Sequence, residues 1–205
     1  MIFFTFLLLW ISIQFGEIVE DSLAYIIVLS IGIIHGSNDF TILRKQQKGT
    51  INFIKSTGVY LSGKKFIKSF IYILYGLLIF SLIFIENMND VDTIMLNLTG
   101  TLIPKVWINM LLLFSSSMML ILYGYQRLKK IAFNFNIIRE LFYVFLLYLV
   151  FKTSSLILGF AIYFVLWHSI PSILDQTKFL WGDKTKKALL NYFKTAFVYW
   201  LISIV

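Results

Sequence analysis

Four side chains in this sequence combine metal-binding chemistry with positions inside or beside strongly apolar segments. They are His35 and Asp39, which are four residues apart, and His168 and Asp175, which are seven apart. Residues four apart share a helix face, so the first pair projects to one side. The two histidines are the only ones in the chain, and imidazole is a common ligand for iron, copper and zinc.

The positions of the two histidines along their segments indicate that both lie at one level of a membrane. His35 is about twelve residues and His168 about fourteen residues into helices that run inward, so at 1.5 Å per residue their depths match. Ionisable groups inside membranes are costly and usually functional. Two buried imidazoles at one level could share a metal ion, with Asp39 either as a carboxylate ligand or, as we favour, as a group that orients His35. Asp175, just past the end of the second helix, is a further candidate for either role. The alternative is that each histidine only forms hydrogen bonds between helices.

Two backbone features accompany the histidines. Gly36 removes side-chain bulk beside His35, which would let another helix or a ligand approach closely. Pro171, three residues after His168, frees the carbonyl of Trp167 and can kink its helix. Irregular backbone at membrane depth needs cover from protein or a cavity, so we expect this point to face the protein interior.

The elements that carry these residues are apolar segments of membrane-spanning character. Of all residues, 59% are apolar and 14% are charged, whereas soluble domains have about 25% charged residues. We predict an all-α fold, a polytopic transmembrane helical bundle of about seven helices, built as a single domain over residues 1–205. The predicted segments are Ile2–Phe15, Leu23–Leu43, Phe66–Phe84, Val106–Tyr125, Ile137–Phe151, Ser154–Ile173 and Leu189–Val205.

The charges between the segments predict the orientation. Basic residues are concentrated in alternate loops, and the positive-inside rule places those loops in the cytoplasm. The net charge of +8 therefore indicates topology rather than nucleic-acid binding. We predict a multi-pass protein of the cell inner (plasma) membrane with a cytoplasmic amino terminus. The basic loop residues include Arg44, Lys45, Lys48, Lys55, Lys64, Lys65, Arg127, Lys129, Lys130, Lys178, Lys184, Lys186 and Lys187.

Other features narrow the possible chemistry. The chain has no cysteine, which excludes disulfides and iron–sulfur clusters. Lys194 lies in the last segment, but a lysine whose charge reaches the membrane surface explains it better than a retinal Schiff base. The segment Val91–Ile103 is only moderately apolar, so we expect an interfacial or re-entrant stretch there.

Two local motifs resemble a known family. They are His35-Gly36-x-x-Asp39-Phe40 and the stretch from Trp167 to Gln176, which reads WHSIPSILDQ. Both are similar to motifs of the bacteriorhodopsin-related-protein (Brp/Blh) family of β-carotene 15,15′-dioxygenases. The resemblance implies a membrane enzyme that cleaves β-carotene with O2 into two retinal molecules, using non-haem Fe(2+) bound by His35 and His168.

The sequence departs from that family pattern at two positions. No histidine occurs between Phe40 and Trp167, where the family has a middle-helix histidine motif, and Ser172 replaces a further histidine. A catalytically inactive relative that binds carotenoid or lipid is therefore a second hypothesis. A small transporter or channel ranks third, because the intramembrane polar residues are few. The expected partners are β-carotene or a related carotenoid, O2 and membrane lipid, with no nucleic acid.

Overall fold

The computed structural model describes residues 1–38, 42, 63–128 and 137–204. Within these residues the secondary structure is helical and contains no strand, which confirms the all-α prediction. We number the α-helices in chain order and call two intervening π-helical segments π1 and π2. The elements are α1 (Ile2–Phe15), α2 (Glu17–Ile27), π1 (Val28–Gly32), α3 (Ile33–Ser37), α4 (Gly63–Glu86), α5 (Met88–Thr99), α6 (Lys105–Leu128), α7 (Ile137–Thr153), α8 (Leu156–Ala161), π2 (Ile162–Ser169), α9 (Ile170–Trp181) and α10 (Lys186–Ile204).

Within the described residues, each predicted segment overlaps a helix or a continuous run of helices. Helix α1 has the bounds read from the sequence, and α2, π1 and α3 follow one another without a gap, as do α8, π2 and α9. The run formed by α2, π1 and α3 begins six residues earlier than predicted, at Glu17 rather than Leu23. Acidic residues near a helix N-terminus are favourable because they interact with the helix dipole, so Glu17 and Glu20 extend this helix beyond its apolar part.

Three helical runs are long and apolar enough to cross a membrane: Glu17–Ser37, Lys105–Tyr125 and Leu156–Trp181. A fourth span results if Phe70–Glu86 and Met88–Thr99, bent by 96° at their junction, count as one. The bent helix overlaps the stretch predicted to be interfacial or re-entrant. Seven crossings stay a prediction, because three or four helical runs pass this test among the described residues and Ile2–Phe15 is shorter than the usual span.

The described residues belong to two compact units. The terminal unit comprises Met1–Tyr60 and Phe160–Val205, and the central unit comprises Leu61–Gly159. Both histidines belong to the terminal unit, where π1 and π2 pack together and α10 packs against α3 and α9. The prediction of a single domain stays a prediction.

The central unit is organised around α4, which packs against α6 and α7. Gly159 lies in a tight position there, because an added Cβ would be 3.1 Å from the Phe151 ring and 3.2 Å from the Ser154 hydroxyl. The Asn87 side chain donates to the Phe151 carbonyl at 3.1 Å. Apolar packing and one interhelical hydrogen bond thus hold α7 against neighbouring helices. The buried apolar residues of this unit include Leu74, Leu78, Ile79, Ile83, Ile108, Leu146, Leu147, Val150, Phe151 and Leu158.

Candidate metal centre

The π1 segment lies directly before the first histidine-bearing helix. The N–H of Ile33 bonds to the carbonyls of Val28 and Ser30 and passes over that of Leu29, four residues back. The Leu29 carbonyl accepts a hydrogen bond at 2.7 Å from the indole N–H of Trp200 on α10. A side chain of another helix therefore satisfies a carbonyl that the widened turn leaves available.

The second histidine, His168, lies within π2. The Ser169 hydroxyl donates at 2.8 Å to the carbonyl of Phe164, five residues back. Pro171 occupies the start of α9 and has no N–H to donate. The sequence predicted a disturbed helix beside His168, and the disturbance takes the form of a π segment. Such segments occur frequently at functional sites.

The two imidazole rings meet where π1 and π2 pack. The ring centroids of His35 and His168 are 5.3 Å apart, and the rings are nearly perpendicular at 85°. Two imidazoles bound to one metal at about 2.1 Å from each nitrogen place their centroids roughly 4.5–5.5 Å apart. The separation thus fits two ligand positions on a single ion.

Phe164 lies beside both histidines. Its ring stacks on His168 with centroids 5.6 Å apart and presents an edge to His35 at 6.4 Å. A Cβ added at Gly32 would lie 3.4 Å from the Phe164 ring, whereas one added at Gly36 would meet no atom of the described residues within 4 Å. Close helix approach therefore occurs at Gly32, one turn before the position we expected. Among the described residues, Gly36 has no close neighbour of this kind.

The exposure of the two rings differs from our expectation. His35 is half-buried, and its Nδ1 atom is shielded from solvent. His168 is exposed, so the prediction of two buried imidazoles is wrong for this residue. The reason is that Phe164 covers one face of the His168 ring and His35 meets it only edge-on. The open part of the ring leaves room for a ligand.

Helix α1 fixes the residue next to His168. The indole N–H of Trp167 donates at 3.1 Å to the hydroxyl of Thr5, and the Thr5 residue is fully buried. A buried hydrogen bond of this kind restricts the rotation of π2 about its axis. Sequence reasoning missed Thr5, because a single threonine in an apolar helix gives no signal by itself.

The structure describes only one of the two carboxylates predicted to lie at the site. Asp39 lies outside the described residues. Asp175 is exposed and accepts an ion-pair hydrogen bond from Lys184 at 2.7 Å. Among residues 1–38, 63–128 and 137–204, no group of three or more His, Cys, Asp or Glu side chains is arranged to hold a metal ion. His35 and His168 are therefore at most two ligands of a metal centre, and their roles and those of the carboxylates stay predictions.

Comparison with known proteins identifies the family of this chain. A family model described as "BCD: Beta-carotene 15,15'-dioxygenase" matches residues 49–205, which include His168. The chain belongs to this family. No curated protein and no solved structure matches the chain. Because the family match begins after His35, the pairing of His35 with His168 comes from the geometry.

The family and the fold together set the class of protein. Members of the β-carotene 15,15′-dioxygenase family are named for a carotenoid substrate, and the apolar helices of this chain are those of a membrane protein. Both findings agree with the two motifs read from the sequence. The metal, the oxygen chemistry and the orientation in the membrane belong to the proposal below.

Proposed function

We propose that this chain is a membrane-embedded carotenoid-cleaving dioxygenase that converts β-carotene and O2 into two retinal molecules with a non-haem Fe(2+). The convergence of the His35 and His168 rings, 5.3 Å apart, carries the proposal. It is supported by the family match that includes His168. In the reaction, one carbon–carbon double bond and the O–O bond break, and each oxygen atom becomes the carbonyl oxygen of one aldehyde.

His35 and His168 would hold the iron, whose contribution when bound is the activation of dioxygen. Non-haem iron oxygenases commonly use two histidines and one carboxylate. Asp39 is the better candidate for the carboxylate, because it is four residues after His35, whereas Asp175 pairs with Lys184. We propose that Asp39 completes the ligand set or orients His35.

The aromatic side chains beside the histidines suit a conjugated substrate. Phe160 and Phe164 stack almost parallel with centroids 5.2 Å apart, and Phe164 stacks in turn on His168. This row of stacked rings extends along the helix from the histidine pair and would line a substrate path with apolar aromatic edges. Apolar walls also keep water away from a reactive centre.

The location follows from the sequence charges. We propose that the protein lies in the cell inner membrane with its amino terminus in the cytoplasm, because the basic loops alternate with acidic ones. The substrate would enter from the lipid phase, where carotenoids dissolve. Its partners would be β-carotene or a related carotenoid, O2 and membrane lipid.

The test is expression of the full chain in bacteria that accumulate β-carotene. Wild-type protein should produce retinal and carry stoichiometric iron, whereas His35→Ala and His168→Ala should lower both by about 100-fold or more. Ser117→Ala is the control, because the Ser117 hydroxyl donates at 3.1 Å to the Phe114 carbonyl of its own helix. Unchanged carotene with no retinal, despite good membrane expression, would contradict cleavage.

A second candidate function is the binding of carotenoid or lipid without catalysis. It is favoured by one observation, that the described residues offer only two histidines and no third ligand beside them. This candidate predicts that pigment co-purifies intact and that the protein contains little iron. Iron that is stoichiometric in the wild type and lost in His35→Ala would rule it out.

A further inference from the structure

A hydrogen-bond network joins α10 to α3, which carries His35, and to α9, which directly follows the His168 segment π2. Tyr192 is at its centre and is fully buried. Its hydroxyl oxygen lies 3.1 Å from the backbone carbonyl oxygen of His35 and 2.5 Å from the side-chain carbonyl oxygen of Gln176 on α9. A tyrosine hydroxyl has one proton and donates to one of these two acceptors at a time. Both helices therefore meet at one phenol group.

The same stretch of α10 also binds the end of the His35 helix through Asn38. This side chain is fully buried, and its amide N–H donates at 3.0 Å to the backbone carbonyl of Tyr192. Its amide oxygen accepts a hydrogen bond from the Thr195 hydroxyl at 3.0 Å. A buried amide costs stability unless both of its ends are satisfied, and here α10 satisfies both.

The consequence is a fixed register of α3 against α10 and α9. Sliding or rotating α3 would separate Asn38 from its two partners and the His35 carbonyl from Tyr192. Because hydrogen bonds of buried side chains such as Asn38 and Tyr192 are costly to break, this arrangement opposes such movement. His35 therefore keeps its position along the helix relative to His168.

We propose that Tyr192 is a positioning residue for the histidine pair, acting through its hydroxyl on the His35 backbone and on Gln176. The proposal rests on the proposed function only in assigning the metal to that pair. Residues that orient metal ligands without touching the metal typically change metal affinity by about 10–100-fold when they are mutated. Tyr192 is expected to belong to this class.

The discriminating variant is Tyr192→Phe, which removes the hydroxyl and keeps the ring. The ring lies edge-on to Trp181 with centroids 6.1 Å apart, so packing is largely retained. Tyr199→Phe is the matched control, because Tyr199 is on the same helix and is 42% exposed. Gln176→Leu tests the other arm of the network.

The first measurement uses the fact that the chain has only two histidines. Full-length protein labelled with 13C and 15N at histidine should give an NMR cross-peak between the two rings. We expect this cross-peak to weaken and the ring shifts to change in Tyr192→Phe and Gln176→Leu, but not in Tyr199→Phe. Wild-type ring shifts and cross-peak intensity in a folded Tyr192→Phe protein would overturn the proposal.

The second measurement is titration with Co(2+), whose visible spectrum reports its ligand geometry. Tyr192→Phe should bind Co(2+) about 10–100-fold more weakly than wild type, with a changed spectrum. An affinity within twofold of wild type would overturn the positioning role. If the wild type binds neither Co(2+) nor iron, the proposed function fails, and the metal-free cross-peak still decides the role of Tyr192.

Discussion

The terminal and central units use their polar side chains in different ways. In the central unit, the hydroxyls of Ser81, Ser116 and Thr153 bond to carbonyls of their own helices. In the terminal unit, Trp167 and Trp200 donate to groups on other helices. The Asn38 amide also donates to the Tyr192 carbonyl in a buried bond. Buried hydrogen bonds between helices are costly to misplace, so these contacts specify the geometry of the terminal unit strictly.

Apolar packing and hydrogen bonds between helices constrain a helix differently. Apolar side chains tolerate exchange for others of similar volume, and lipid offers little preference between one apolar packing and another. Directional hydrogen bonds fix rotation and register. The unit that holds both histidines has several such bonds between helices, among them those of Trp167, Trp200 and Asn38, as expected if a reactive centre needs exact placement of its ligands.

The largest expected effect tests whether the core of the central unit contributes to stability without affecting metal binding. Leu147 is 1% exposed, and Leu147→Ala should lower the free energy of unfolding by about 2–5 kcal/mol. Iron content per protein should not change at temperatures where the variant is folded. Ile138→Ala on the same helix is the control, because Ile138 is 77% exposed. Loss of iron from folded Leu147→Ala would break the comparison.

A smaller effect is expected where the two histidine-bearing elements meet. Gly32→Leu should lower the free energy of unfolding by about 1–3 kcal/mol through overpacking, because a Cβ there already lies 3.4 Å from the Phe164 ring. Gly36→Leu, whose Cβ would meet no described atom within 4 Å, should leave thermal stability almost unchanged. Equal melting temperatures for the two variants in detergent would show that the contact with Phe164 is unimportant.

The hydrogen bond from Trp200 to π1 should contribute less. Trp200→Phe removes the indole N–H that donates to the Leu29 carbonyl and should cost about 0.5–1.5 kcal/mol. Amide hydrogen exchange should quicken within Val28–Gly32. The control is Trp107→Phe in the central unit, where the side chain is 70% exposed. If the two variants exchange alike in π1, the Trp200 bond does not stabilise the π turn.

The smallest effect concerns the start of α10. The pKa of Asp183 is lowered because its carboxylate accepts hydrogen bonds from the Thr185 backbone N–H and the Thr185 hydroxyl. The charged form is thus favoured in the folded protein. Its stabilising contribution is present above the ordinary pKa of aspartate and is lost as the pH falls through the lowered pKa. The melting temperature of the wild type should fall more than that of Asp183→Asn between about pH 5 and pH 3; equal slopes would contradict this.

Hydropathy was sufficient to predict the helices but not their irregularities. The bounds of α1 and the positions of the other segments follow from continuous apolar runs, which have few alternatives in a bilayer. The early start of α2 was missed because Glu20 is charged, yet its carboxylate is buried and accepts a hydrogen bond from Ser12 at 2.7 Å. A hydropathy pattern carries no information about such a partner.

The candidate site was predictable in part. The depth argument brought His35 and His168 to one level, because axial position depends only on the rise per residue. The rotation of each helix was not predictable, so the exposure of His168 and the close contact at Gly32 were missed. Tyr192 was missed because a tyrosine in an apolar segment resembles an interfacial residue until its partners on other helices are known.

The paired π segments make the histidine site sensitive to chain length. One residue turns a helix by about 100°, so deleting a single residue within Ile162–Ser169 would restore regular winding only by swinging the flanking residues around the axis. A substitution there changes one side chain, whereas a deletion would redirect His168 or everything that precedes it. Homologous chains that keep the site should therefore align across both segments without gaps.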